Sequence, residues 1–162
     1  MASITMSVPA DAFDDVVARE GARLCGLAIA IAGSVAAGED AYQTSLIAAW
    51  RSWHQLRDPS RRAQWLSRIT ARKAMGARRR LAEWLPLGVG QHEPALEQEM
   101  PWAPDVGRAL DGLSARQRAV VVLHYVHGHT LDETARLLGI SAGTARSHLA
   151  RALGVLRKRL EP

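Results

Sequence analysis

The chain has 162 residues, of which 48% are hydrophobic and 23% charged, and this mix suits one or two small globular domains rather than a disordered tail, a collagen or a coiled-coil array. Its formal net charge of +5 is unevenly spread: residues 1–50 carry a net −4, 51–80 a net +9, 81–105 a net −5 and 106–162 a net +5. Two basic blocks flanking an acidic stretch point to a polyanionic partner. The most apolar run, Leu24 to Ala37, is broken by Gly26, Gly33 and Ser34 and falls short of the roughly 18 residues that span a bilayer, so no membrane insertion is expected. A single cysteine, Cys25, and an amino-terminal stretch without a basic start or long apolar core point to a reducing cytoplasm.

From Asp11 to Ala32 the residues Phe13, Val16, Val17, Leu24, Leu27, Ala28 and Ile31 recur at helical spacings, with acids in the first turn. Gly33 and Ser34 end this helix. A second is expected from about Val35 to Trp53, with Tyr42, Leu46, Ala49, Trp50 and Trp53 on one stripe. Asp58-Pro59-Ser60 is a helix-start signal, and the third helix runs from about Pro59 to Leu81 with seven arginines on a mostly cationic exterior. Pro86 to Pro104 holds four prolines, two glycines and a cluster of acids without apolar period, which reads as a linker.

Beyond it the pattern is helical again, over Val106 to Gly112, Ser114 to His127, Leu131 to Leu138 and Ala142 to Leu160, with glycines at the breaks. The fold class expected is therefore all-α, with two small helical domains at 11–81 and 106–162 joined by a Pro- and acid-rich linker at 82–105. Within the second domain, Thr130 to Leu149 reads as a helix-turn-helix. Ala135 is small where two helices approach, Gly139 suits a left-handed turn, and Ser141 suits the cap of the next helix. That last helix would present Arg146, Ser147, Ala150 and Arg151 to the major groove, with Arg157, Lys158 and Arg159 trailing towards phosphates.

At these residues the chain resembles the extracytoplasmic-function group of bacterial RNA polymerase sigma factors. Leu113-Ser-Ala-Arg-Gln-Arg-Ala-Val-Val-Val-Leu-His-Tyr125, then Gly128, Glu133, Ala135, Leu138-Gly139, Ser141, Gly143-Thr144, Ser147, Arg151-Ala152 and Leu156-Arg157 look like the family's fourth domain. Glu39-Asp40-Ala-Tyr-Gln43, Ala49-Trp50-Arg51, Arg57-Asp-Pro-Ser60 and Trp65-Leu66-x-Arg68-Ile69 resemble its second domain more loosely. Thr44 stands where the family usually carries an acid, Leu46 where it carries Phe, Arg72 where some members use Asn, and Ala150 where a bulky residue often precedes the recognition Arg.

The resemblance implies a promoter-specificity subunit without covalent chemistry or cofactor. Asp40, Ala41, Gln43 and Thr44 would dock on the β′ clamp helices of core polymerase, and the fourth domain on the β flap. The loop of Arg57, Asp58, Ser60, Arg61 and Arg62 would capture a base flipped from the minus-ten element, with Trp50, Trp53, Trp65, Arg68 and Arg72 supporting the melted duplex. Thr144, Arg146, Ser147, His148, Ala150, Arg151 and Lys158 would read the minus-thirty-five element. An anti-sigma protein is a further partner common in the family. Two other classes compete on the residues alone. One is a helix-turn-helix regulator that does not engage polymerase. The other is a nuclease using a metal at His124, His127 and His129, for which Gly128 breaks the common helical face.

Overall fold

The computed structural model describes residues 10–84 and 103–161, and within them every regular element is helical. Helix α1 spans Ala10–Ala32 and α2 spans Val35–Ser52. Between them Gly33 takes a left-handed φ of 75°, and the Ser34 hydroxyl caps α2 by accepting from the Ala37 amide. The two helices then run back against each other so closely that a Cβ on Gly38 would collide with the Ile29 backbone. A short turn over Trp53–Gln55 and a second over Pro59–Arg61 lead into α3, Arg62–Trp84. Alanines 28, 41, 49, 71 and 74, all buried, let these three helices approach, while Phe13, Leu24, Leu27, Ile31 and Leu66 fill the interior. A buried hydroxyl pair, Ser45 to Thr70 at 3.0 Å, ties α2 to α3.

The second module comprises α4 (Pro104–Leu110), α5 (Ala115–Val121), α6 (Leu131–Leu138) and α7 (Ala142–Leu160). Ser114 with Gln117, and Thr130 with Glu133, each close a reciprocal cap at the starts of α5 and α6. A π-helical turn, Val122–Val126, extends α5 and ends at Gly128 with φ 70°. Gly139 ends α6 at φ 67°, and Ser141 caps α7 by accepting from the Thr144 amide at 3.0 Å. Leu110, Leu113, Val120, Leu123, Leu137, Leu149 and Ala152 form this module's apolar interior.

The expected helices are found, with shifts at their ends. Pro104, assigned to the linker, is the first residue of α4, because Pro suits a position whose amide has no helical acceptor. The linker's other boundary moves as well, since α3 continues through Trp84 rather than ending at Leu81. The prolines and acids of 85–102 lie outside the described residues.

The two modules pack against each other. A single cluster of buried apolar side chains runs from Leu27, Ile31 and Met75 in the first to Leu110, Val120 and Leu138 in the second. At its centre Arg118 of α5 is fully buried. Its Nε donates to the carbonyl oxygen of Ala30 at 2.6 Å, and its Nη1 to Asp111 Oδ1 at 3.0 Å.

Candidate functional site

Along α7 the buried residues Ala145, Leu149 and Ala152 form the inner stripe that seats the helix on α5 and α6. The 3.6-residue period then leaves Thr144, Ser147, Arg151 and Lys158 on one exposed line and Arg146, Ala150 and Arg157 on the next. No acid occurs between Gly139 and Leu160, so this outward surface is cationic along its whole length. It carries donors spaced for base edges near the start and for phosphates further along. His148 behaves differently. It is half-buried, its Nδ1 has no partner, and burial, then Arg116 and Arg151, push its pKa down, so it sits at the edge of the face as a neutral ring. Arg159 leaves the face too: it lies over Gly112, where a Cβ would collide with its guanidinium.

The loop before α3 is built by Asp58. Its Oδ1 accepts from the Ser60 amide at 2.9 Å and from the Ser60 hydroxyl at 2.7 Å, and its Oδ2 faces Arg61 Nε at 3.3 Å. The Ser60 hydrogen bonds are the main reason its carboxyl pKa is lowered. Arg57, Asp58, Ser60 and Arg61 are all exposed on a loop shaped by its own hydrogen bonds. Arg62 turns inward, with its guanidinium 5.0 Å from the Trp53 ring centroid.

The three tryptophans separate. Trp53 is only 4% exposed and packs edge-on against Phe13 at 5.0 Å, so the expectation of a DNA-contacting Trp53 is corrected to a core residue that supports the loop. Trp65, partly buried, stands beside it at 6.1 Å. Trp50 is 51% exposed but lies at i+7 from Gln43, on the stripe that also holds Asp40, Thr44 and Ile47. Ala41 is 2% exposed and belongs to the helix interior, which removes it from any docking surface. Thr44 spends its hydroxyl on the Asp40 carbonyl at 2.8 Å. Ile47, 54% exposed in the middle of this stripe, was missed by sequence reasoning; its signal is an apolar residue at i+4 from Gln43 on an otherwise polar line.

Arg68 and Arg72 are exposed on α3, yet Arg72 reaches the Gly139 turn of the helix-turn-helix so closely that a Cβ there would meet its guanidinium. Arg72, Arg79 and Arg116 line a cleft of about 320 Å³ closed by Gly139 and Ile140 at the seam of the modules. His124 Nδ1 lies 2.7 Å from the His129 carbonyl, and among the described residues no group of three or more His, Cys, Asp or Glu side chains is placed to hold a metal ion. No described helix is long and apolar enough to cross a membrane.

Comparison with known proteins agrees with this arrangement in both halves. Residues 16–83 match the model of sigma-70 region 2, and residues 105–156 match that of sigma-70 region 4. The ECF RNA polymerase sigma factor SigM of Mycobacterium tuberculosis is 30% identical over 151 residues, covering 92% of this chain and 77% of that protein. The chain belongs to the ECF sigma factors. Sigma factor SigL of the same organism is 32% identical over 83% of this chain and 80% of its own length. The sigma-E factor of Streptomyces antibioticus is 35% identical over 76% of this chain and 70% of its own. Among solved structures, this sigma factor superposes on CnrH, determined with the cytosolic domain of CnrY, with a TM-score of 0.68 and 27% identity over 95% of this chain and 90% of that one. The fold is also shared with RpoE of Bartonella quintana, solved with the anti-sigma factor NepR, at a TM-score of 0.71 and 23% identity over 91% of this chain and 96% of that one.

Proposed function

We propose that this ECF sigma factor divides promoter recognition between its two modules, 11–84 and 103–162, and performs no covalent chemistry of its own. The observation that carries the reading is the acid-free exposed face of α7, set on a capped helix-turn-helix in the same chain as the cationic helix α3. Thr144, Arg146, Ser147 and Arg151 read the minus-thirty-five element in the major groove, and Arg157 and Lys158 anchor phosphates. The Asp58-shaped loop, with Arg57, Ser60 and Arg61, receives an extruded minus-ten base, and Arg68 and Arg72 follow the backbone of the melted strand. Asp40, Gln43, Thr44 and Ile47, with Trp50 at the end of the same line, form the surface for the β′ clamp helices. The second module meets the β flap. An anti-sigma protein is a further partner, supported by the anti-sigma factor NepR bound to the Bartonella quintana neighbour.

A helix-turn-helix regulator without polymerase contact accounts for α7 but leaves the exposed Asp40 to Trp50 line and the shaped loop at Asp58 without a role. Size-exclusion chromatography of the chain mixed with core RNA polymerase tests the reading. Co-elution that is weakened by Asp40→Ala with Gln43→Ala is expected; a chain that never co-elutes with core would overturn it.

A further inference from the structure

We infer that the cleft between Arg72, Arg79 and Arg116 is a binding site for a small organic phosphate, and that a nucleoside di- or triphosphate is the class of ligand it fits. Arg72 and Arg79 come from α3 and Arg116 from the first turn of α5. The cleft they line, about 320 Å³ in volume, is closed by Met75, Leu138, Gly139 and Ile140. Arg68 stands at its rim: its Nη2 would lie 3.8 Å from a Cβ on Gly139, and the Arg72 guanidinium would lie closer still. The missing Gly139 side chain is what leaves room for these cations over the turn.

These guanidinium groups gather without a counter-charge. Among the described residues none of Arg68, Arg72, Arg79 and Arg116 has a hydrogen bond or an ion pair, and no carboxylate lines the cleft. Arg78 and Arg118, on the same two helices, differ in sharing Asp111. The surplus charge is felt nearby: after burial, Arg116 and Arg151 push the His148 pKa down. A concave surface of one sign focuses its field and draws an anion inward.

Two features select the ligand. An arginine fork meets phosphate oxygens with two parallel N–H donors, so three forks match a run of adjacent phosphates better than a lone carboxylate. The floor is apolar, with Met75 and Leu138 buried and Ile140 partly so, and a thioether beside branched carbons seats the flat face of a base. The volume lies at the lower end of the small-molecule range. It is too small to admit a duplex, whose major groove alone is about 12 Å wide. Arg72 is also assigned above to the melted strand, and on that reading strand and nucleotide compete for it; the site itself rests on the cleft alone.

Titration calorimetry of the full chain with GDP, ADP, pyrophosphate and adenosine tests the inference. A nucleoside diphosphate is expected to bind once per chain with a dissociation constant of about 10–100 μM, pyrophosphate about tenfold more weakly, and adenosine not measurably. Arg79→Ala/Arg116→Ala changes two exposed side chains, so it should keep its helical circular dichroism while binding the nucleotide at least tenfold more weakly. Arg79→Ala alone should weaken binding in the same direction and covers the case in which the pair disturbs folding. Arg19→Ala/Arg51→Ala removes the same charge from exposed positions outside the cleft and should bind the nucleotide as the wild type does. No nucleotide binding by the wild type, or equal weakening by the two pairs, would overturn the site. Pyrophosphate binding as tightly as either nucleotide would overturn the seat for a base. A cleft pair that loses more affinity for a minus-thirty-five duplex than the control pair would show the cleft to be part of the DNA surface, and would overturn the inference too. Nucleotide binding is read without polymerase or promoter, so failure of the proposed function leaves this result standing.

Discussion

Arg118 and Ala30 are 88 positions apart in sequence and 2.6 Å apart in space, and their hydrogen bond puts a charged side chain at the end of a helix it does not belong to. A cation at a helix carboxyl terminus satisfies a carbonyl that the helix leaves free and meets the favourable end of its dipole. Arg118→Ala removes this and leaves Asp111, itself nearly buried, with Arg78 alone. Breaking a buried, hydrogen-bonded ion pair costs about 3–5 kcal/mol. Urea unfolding should therefore show Arg118→Ala losing roughly 3–5 kcal/mol and Arg78→Ala, whose side chain is less buried and which leaves Arg118 paired with Asp111, about 1.5 kcal/mol. Equal losses for the two would contradict this division of labour.

Two glycines predict opposite signs for the same substitution. Gly139 holds φ at 67° and is overlain by Arg72, so Gly139→Ala should cost at least about 1 kcal/mol and loosen α7 on its seat. Gly154 lies inside α7 with open space for 4 Å around the position its methyl would take, so Gly154→Ala should raise stability by about 0.5–1 kcal/mol. Thermal melts of both variants read the two signs directly.

Acid should begin to weaken the fold well above the ordinary carboxylate range. Burial, then Arg23 and His129, pull the His127 pKa down to about 4, whereas an unfolded imidazole titrates at about 6.5. Between these values the unfolded chain takes up a proton that the folded chain refuses, so stability declines as pH falls from about 6.5 to 4. His129 and His148 are shifted in the same direction, chiefly by burial. The urea midpoint should drop from pH 7 to pH 5, and His127→Gln should remove part of that slope; a midpoint independent of pH across this window would contradict the assignment.

The α2 stripe makes a prediction about polymerase. Ile47→Glu places a charge in the middle of an exposed line between Gln43 and Trp50 without touching the interior. Core affinity should fall at least tenfold, as for the Asp40→Ala/Gln43→Ala pair, while full-length protein binds a minus-thirty-five duplex as before. A parallel loss of duplex binding would show that the stripe acts through the fold and not as a docking face.

Much of this architecture was legible because its signals are local. Ser141, Gly139 and Ser34 announce helix ends by their own backbone chemistry, and the three- and four-residue spacing of Phe13 to Ile31 marks a buried face whatever lies against it. The seam was not legible. Arg118 sits in Arg-Gln-Arg, which reads as a solvated basic run, and nothing nearby in the sequence announces that its acceptor is the carbonyl of Ala30. Trp53 and Trp50 failed to separate for the same reason: three residues apart in sequence, both pack edge-on against Phe13, and Trp53 alone is also met by Trp65 and Arg62, which arrive from a later stretch of the chain. Ala41 was drawn in by adjacency to Asp40, although a helix turns consecutive residues to different faces.

The central claim is that α7 chooses the promoter at which polymerase starts, and run-off transcription from a library of randomised minus-thirty-five elements tests it most directly. Core polymerase with the wild-type chain should initiate from a narrow set of sequences. Arg151→Ala should broaden that set, at a cost of about 1–3 kcal/mol on the preferred element, whereas Lys158→Ala should lower output from every sequence alike. Transcription that starts from the same set with Arg151→Ala as with the wild type, or no promoter-dependent transcript from core plus the wild-type chain, would contradict the account.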